Sequence, residues 1–133
     1  MQMKTMLFLD DIRMPSLIYG EPEDIKFEIV RDFEEFKKWI RTNGFPDIIS
    51  FDHDLGLDTF QKYRDKGMSK RGFKKLRAAG TFPSGMDAAK WLIDYCLDND
   101  LSLCEWRVHS ANPAGADNIR GLLAGFDKFR TNS

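Results

Sequence analysis

Short hydrophobic runs separated by longer amphipathic stretches set the pattern of this chain. The run Met3–Leu9 is too short for an average helix and predicts a buried strand that stops at two aspartates. Over Ile25–Val30, apolar residues alternate with charged ones, which predicts a strand at a sheet edge. Further strands are predicted at 48–51 and 101–108. Segment 11–24 contains two prolines and a glycine without a sustained period, so we expect a loop.

Capping signals and helical periodicity predict three helices. One capping-box pattern begins a helix over about residues 32–43, and a second begins a helix over about 84–98. The last helix starts at Asn112, an N-cap residue followed by Pro113 at the first helical position. The side chains expected on its buried face are Ile119, Leu122, Leu123, Phe126 and Phe129.

Alternating strands and helices are typical of an α/β fold, and 133 residues fit one domain over 1–133. Residues 58–82 interrupt the pattern, because eight Lys or Arg against two Asp give this stretch a local charge of +6. We interpret it as a basic insertion. A solvated helix face with a packed apolar side would have the same composition, so that alternative stays open.

Composition narrows the class of protein. Hydrophobic residues make up 42%, charged residues 31% and aromatic residues 13%, which excludes both a disordered chain and a membrane span. The net charge of −1 gives no argument for a nucleic-acid partner, so any such argument must come from the charge distribution. Two cysteines without CxxC spacing, and no apolar signal-peptide core, favour a reduced, cytoplasmic chain.

Acidic residues follow the first and third predicted strands. Asp10 and Asp11 end the first, and Asp52 ends the third. Because ligands bind beyond the carboxyl ends of parallel strands, we expect these residues to meet there. Three converging carboxylates would repel one another unless a cation such as Mg²⁺, which prefers oxygen ligands, relieved them. The plainer alternative is that each aspartate caps a turn.

The only two histidines, His53 and His109, follow the third and fourth strands. If Asp52 and Ser110 face one way, the two-residue period of a strand turns both imidazoles together to the other side. Histidine is suited to proton transfer near neutral pH, so the pair could act on one small group. The alternative is that one histidine is a packed or hydrogen-bonded support.

Anion-binding features occur in two places. The last helix begins directly after His109 and Ser110, and its free N–H groups favour a phosphate, with Gly115 allowing close approach. Aromatic residues lie between the cations of the basic insertion, as in nucleic-acid contacts. The residues expected to contact a polyanion are Lys62, Arg64, Lys70, Arg71, Lys74 and Lys75.

Three motifs together resemble the cyclic-phosphate processing receiver family: LFLDDIRMP, ISFDHDLG and VHSANPAGADNI. The resemblance implies a three-layer, flavodoxin-like domain with a parallel sheet of about four strands in the order 2-1-3-4. It also implies that Asp10 and Asp11 are the acidic metal-binding pair, that Asp52 stands at the phosphoacceptor position, and that Ser110 is the hydroxyl residue ending strand four. The fifth strand and helix of a signalling receiver, with its lysine, are expected to be missing.

The function implied by the resemblance is a phosphoesterase that processes cyclic phosphates of nucleotides or RNA ends. We expect His53 and His109 to divide the acid and base roles, with Mg²⁺ on Asp10, Asp11 and Asp52 as a possible clamp. The other residues assigned within these motifs are Asp52 and Asp54 for catalysis, and Arg13, Ser110, Asn112, Gly115 and Asn118 for substrate binding. Two rivals are a non-catalytic module that binds a phosphorylated ligand or partner protein, and a phospho-accepting receiver.

Overall fold

The hydrophobic runs form a four-stranded parallel sheet in the order β2-β1-β3-β4, which confirms the expected order. The computed structural model describes residues 3–55, 64–65, 67, 69–72, 75 and 83–132. Within them, β1 spans Lys4–Leu9, β2 Ile25–Val30, β3 Ile48–Phe51 and β4 Glu105–Val108. β2 and β4 are therefore the edges of this sheet.

Helices cover both faces of the sheet, in the three-layer arrangement that was expected. In chain order they are α1 (Pro15–Tyr19), α2 (Phe33–Asn43), α3 (Gly85–Asp98) and α4 (Pro113–Asn132). Side chains of α2, α3 and α4 pack in one core cluster with alternate residues of β1 and β3. On the other face, Tyr19 of α1 packs against a smaller cluster of Met6, Phe8 and Ile48.

The helix starts follow the predicted capping chemistry. Asp32 accepts a hydrogen bond from the backbone N–H of Glu35, while the Glu35 carboxylate reaches back to the N–H of Arg31, one residue before the cap. Ser84 and Asp87 form the complete reciprocal box. These bonds satisfy N–H groups that a helix leaves unpaired in its first turn.

Three sequence predictions need correction. Strand β4 begins at Glu105 rather than at residue 101, because its partner β3 offers only four residues for pairing. Segment 11–24 is not all loop, since Pro15 starts the short helix α1, which is too brief to show a period. Phe129 is 57% exposed, because α4 continues past the end of the short strands β3 and β4.

The basic insertion lies largely outside the described residues, and so do Lys62 and Lys74. The described cations of this stretch include Arg64, Lys70, Arg71 and Lys75, and all four are exposed. Among the described residues, no helix is long and apolar enough to cross a membrane.

Gly85, the first residue of α3, is required by a close approach of two backbone segments. Its N–H donates to the His53 carbonyl at 2.7 Å, and a Cβ placed there would lie 1.7 Å from the carbonyl oxygen of Asp52. We expect Gly85→Ala to cost about 3 kcal/mol of unfolding free energy, because backbone cannot move aside as a side chain can.

Gly121→Ala is the matched control, because Gly121 is exposed on α4 with nothing within 4 Å of the added methyl group. That variant should be more stable by about 0.5–1 kcal/mol, since alanine favours a helix interior. Urea unfolding of both variants measures the difference. Equal midpoints for the two would contradict the close approach at Gly85.

Candidate active site at the carboxyl edge of the sheet

Backbone hydrogen bonds extend the sheet by one residue beyond its strands, and this fixes three site residues. The N–H of Asp10 donates to the Val30 carbonyl at 3.2 Å, and that of Asp52 to the Leu9 carbonyl at 2.9 Å. The N–H of His109 donates to Phe51 at 2.9 Å. The predicted meeting of strand ends therefore occurs, with each residue anchored to its neighbouring strand.

Asp10 is fully buried, yet its carboxylate has several hydrogen-bond donors. Oδ1 accepts from the backbone N–H groups of Ile12 and Arg13 at 3.0 and 2.8 Å. Oδ2 lies 3.1 Å from both His109 Nε2 and Arg13 Nε. Burial alone would raise the pKa of Asp10, but the bond to His109, the two N–H groups and the Arg13 charge together lower it to about 2.

Asp52 is almost as deeply buried but has poorer partners. Its exposure is 2%, and its Oδ1 is buried without a hydrogen bond. Arg13 Nη2 lies 3.5 Å from that oxygen as an ion pair. Burial, and next the neighbouring charge of Asp10, raise the pKa of Asp52, although Arg13 and His109 oppose them. The site thus has unsatisfied capacity for positive charge.

The acidic cluster fits a divalent cation. One carboxylate oxygen each from Asp10, Asp11 and Asp52 lie within 4.8 Å of one another. An all-oxygen donor set suits a hard ion such as Mg²⁺, and Asp52 Oδ1, which has no hydrogen bond and only an ion pair with Arg13 at 3.5 Å, is an oxygen that a cation could bind. These three residues are the ones that the sequence predicted for a metal.

Arg31 holds the loop that follows β1, and the sequence analysis missed it. Its Nη1 donates to the carbonyls of Asp10 and Arg13 at 3.1 and 2.7 Å. A signal was available: Arg31 follows β2 as Asp10 follows β1, and the register pairs Leu9 with Val30. Parallel pairing therefore places the arginine beside the aspartate.

His109 is enclosed by protein. Its side chain is 2% exposed, and its ring stacks on Phe8 with centroids 4.4 Å apart and planes 8° from parallel. Both ring nitrogens have partners, since Nδ1 lies 2.7 Å from Ser50 Oγ and Nε2 faces Asp10. Ser50, whose hydroxyl also contacts Tyr19, was another residue that sequence reasoning missed. A serine inside a four-residue apolar strand is the signal that would have found it.

His53 has different surroundings. Its side chain is 23% exposed, and Nδ1 lies 3.0 Å from Asp54 Oδ1. The ring lies against the start of α4, so that a Cβ on Gly115 would be 2.4 Å from its Cγ. Among the described residues, no hydrogen bond or ring contact joins the two histidines. The space above Gly115, which the sequence assigned to a ligand, is filled by the imidazole.

Several polar groups at the start of α4 are hydrogen-bonded to one another. Asn112 caps the helix, with Oδ1 accepting from the Gly115 N–H at 3.0 Å, and Ser110 Oγ accepts from the Asn112 N–H at 3.1 Å. Because Pro113 has no N–H, the first turn presents chiefly the N–H of Ala114 to a ligand. Asn118 is exposed one turn further along.

The two buried aspartates should respond oppositely to the same substitution. With a chelator present, Asp10→Asn should lose about 2 kcal/mol of unfolding free energy, because ionised Asp10 is stabilised by its donors. Asp52→Asn should unfold at higher urea, because it removes a charge that burial and Asp10 disfavour.

The pH dependence of the unfolding free energy tests the direction in which the pKa of Asp10 is shifted. A carboxyl whose pKa falls on folding stabilises the protein above its unfolded value of 3.8, and this contribution is lost as pH falls towards about 2. As the pH falls from 3.8 to about 2, Asp10→Asn should therefore lose less unfolding free energy than the parent protein. Equal shifts for both variants at neutral pH would show that the two carboxylates have similar environments.

Comparison with protein-family models agrees with this geometry. The model described as "Cyclic-phosphate processing Receiver domain" matches residues 5–125, which covers β2, β3 and β4, all of β1 except its first residue, and most of α4. Neither the curated proteins nor the solved structures gave a match. The match extends over most of the chain and includes every residue of the acidic cluster and both histidines. This chain belongs to the cyclic-phosphate processing receiver family.

Proposed function

We propose that this protein is a phosphoesterase that opens cyclic phosphates on nucleotides or RNA ends. The observation that carries the proposal is the buried Oδ1 of Asp52, which has no hydrogen bond in an all-oxygen cluster, directly before His53, whose side chain is 23% exposed. A cation site and a proton-transfer group are the two elements that phosphodiester hydrolysis needs. Membership of a family named for cyclic-phosphate processing supports it.

In this reaction one P–O bond forms to water and one breaks to a sugar oxygen. The attacking water loses a proton and the leaving oxygen gains one, while charge grows on the phosphoryl oxygens. A divalent ion on Asp10, Asp11 and Asp52 would supply charge stabilisation there when bound. Arg13, whose guanidinium spans Asp10 and Asp52 and whose side chain is 24% exposed, is placed to bind a phosphate oxygen as well.

We assign the transfer of a proton at the substrate to His53. Asp54 accepts a hydrogen bond from Nδ1 of that ring at 3.0 Å, which orients Nε2 as the nitrogen that exchanges a proton. Because both nitrogens of His109 are bonded inside the protein, its geometry favours a supporting role over the shared acid–base role that the sequence suggested. Ala114 N–H and Asn118 are the α4 groups we assign to substrate binding.

The basic insertion extends the proposal to RNA. Its exposed cations, including Arg64, Lys70, Arg71 and Lys75, would attract the phosphates of a strand that ends in the cyclic group. The acidic cluster would otherwise repel such a polyanion. An RNA end is therefore the substrate we favour over a free nucleotide.

Turnover tests the proposed role of His53. Incubated with nucleoside 2′,3′-cyclic phosphates and Mg²⁺, the protein should release the monophosphate, and His53→Ala should lower kcat by about 10²–10⁴-fold. Gly115→Ala should lower kcat by up to about 100-fold, because the added methyl group displaces the His53 ring.

Gly121→Ala is the matched control for Gly115→Ala, since it makes the same change on the same helix away from the site. In a His53→Ala background, Gly115→Ala should have no further effect on kcat. Turnover that survives His53→Ala would contradict the assignment of proton transfer to His53. Tight phosphate-ligand binding without turnover would instead favour the non-catalytic module, and an adduct on Asp52 after acetyl phosphate treatment would favour the phospho-accepting receiver.

Salt dependence tests the RNA substrate. KM for an oligonucleotide ending in a cyclic phosphate should rise steeply with salt, because each phosphate contact releases counterions. KM for a mononucleotide should change much less. Replacing Lys70 and Arg71 by alanine should reduce the salt dependence for the oligonucleotide alone. The same salt dependence of KM for both substrates would show that the basic insertion does not bind the RNA strand.

A further inference from the structure

A line of hydrogen bonds runs from helix α1 through the sheet to the acidic cluster. Tyr19 Oη lies 2.6 Å from Ser50 Oγ, Ser50 Oγ lies 2.7 Å from His109 Nδ1, and His109 Nε2 lies 3.1 Å from Asp10 Oδ2. We propose that Tyr19 and Ser50 are positioning residues that hold the His109 imidazole with its N–H directed at Asp10. His109 thereby orients a cation ligand and does not touch the substrate.

Burial excludes solvent from the inner part of this line, from Ser50 to Asp10, while Tyr19 is partly buried. Ser50 and Asp10 are fully buried, and the His109 side chain is 2% exposed. Phe8 covers one face of the imidazole in parallel stacking, while the Tyr19 ring meets it edge-on at 6.5 Å. The imidazole therefore has no water to exchange for its protein partners, and its orientation is set by the groups at its two nitrogens.

Each hydrogen bond of the line can be assigned a donor and an acceptor, with the donors running from Tyr19 towards Asp10. A carboxylate only accepts, so His109 Nε2 must carry the proton that faces Asp10. In the neutral ring Nδ1 is then an acceptor, which the Ser50 hydroxyl can satisfy by donating. The Ser50 oxygen in turn accepts from the Tyr19 hydroxyl. Every polar side-chain atom of the line is bonded in this arrangement, as burial requires.

Tyr19 is itself firmly placed. Its ring stacks on Phe27 at 6.4 Å and meets Phe8 edge-on at the same distance, and the Arg107 guanidinium lies 5.5 Å from its centre. Tyr19 is the last residue of α1, the short helix that covers this face of the sheet. Placement of a hydroxyl over Ser50 thus gives α1 a role at the site.

The line of hydrogen bonds ends at Asp10 and restrains its carboxylate. Its Oδ1 is held by two backbone N–H groups, so His109 and Arg13 at Oδ2 complete the restraint on the carboxylate plane. Outer groups that orient a metal ligand typically change affinity by about 10–100-fold when removed. The inference rests on the cation site of the proposed function, but its first test needs neither metal nor substrate.

The first test is the nitrogen-15 NMR spectrum of the imidazoles in metal-free protein. With only two histidines, comparison with His53→Ala assigns the His109 signals. We expect a protonated Nε2 and an unprotonated, hydrogen-bonded Nδ1. In Ser50→Ala the Nδ1 signal should move to the position of an acceptor without a partner. A proton on Nδ1 in the parent protein would overturn the inference, whatever the enzyme assays show.

The second test measures affinity for Mn²⁺ by its paramagnetic relaxation. Ser50→Ala should weaken binding by about 10-fold or more, and Tyr19→Phe by a smaller factor, as removal of outer groups does. Tyr95→Phe is the matched control, since it removes a hydroxyl from a tyrosine on α3 that packs with Phe45 and Trp91. Equal Mn²⁺ affinity in Tyr95→Phe, Tyr19→Phe and Ser50→Ala would contradict a positioning role.

A conservative replacement separates positioning from proton transfer at His109. The amide nitrogen of glutamine can stand where Nε2 stands and donate to Asp10, but it cannot exchange protons as an imidazole does. His109→Gln should therefore keep Mn²⁺ affinity and kcat within about 10-fold of the parent, while His109→Ala loses at least that much affinity. A His109→Gln protein that binds Mn²⁺ normally but has no turnover would overturn the inference and restore a catalytic role.

Discussion

The buried charge of Asp10 is the constraint on which the rest of this structure depends. A carboxylate with no solvent exposure is tolerated only when its oxygens are fully bonded, because an unpaired buried charge costs far more than one hydrogen bond returns. Here the loop after β1 supplies two N–H groups, and Arg13 and His109 supply the rest. Arg31 then fixes that loop by its carbonyls. The loop, two arginines and a histidine are in this way organised around a single side chain.

Asp52 shows why the site is suited to a ligand rather than to stability alone. It lies in the same cluster within 4.8 Å of Asp10 and Asp11, but one of its oxygens has no hydrogen bond. The two buried aspartates therefore have pKa values displaced in opposite directions, one stabilised by the fold and one opposed by it. Such a difference between neighbouring groups is typical of functional sites, because folding alone would satisfy both.

Sequence patterns predicted the sheet well because hydrophobic runs and capping boxes depend on local chemistry. The meeting of Asp10 with Asp52 followed from parallel topology, whereas the order of strands was what the family resemblance implied. The pairing of histidines was inferred from strand alternation, but that rule applies only while the chain stays extended. After Asp52 the chain turns, with the His53 carbonyl bound to Gly85, so alternation no longer fixes the direction of His53. Long-range partners such as Tyr19 and Ser50, 31 positions apart, leave no periodic signal.

The separation of the two histidines follows from how each is anchored. His109 continues the ladder of β4, since its N–H bonds to Phe51, and it is held under the sheet surface by stacking on Phe8. His53 lies beyond the ladder, where Gly115 leaves just enough room for its ring beside α4. A residue fixed by the sheet is well placed to orient a buried ligand, whereas one in a turn at a helix start retains access to solvent. Two chemically identical side chains thus have different surroundings: His109 is enclosed with both ring nitrogens bonded, whereas His53 is 23% exposed with its Nδ1 paired to Asp54.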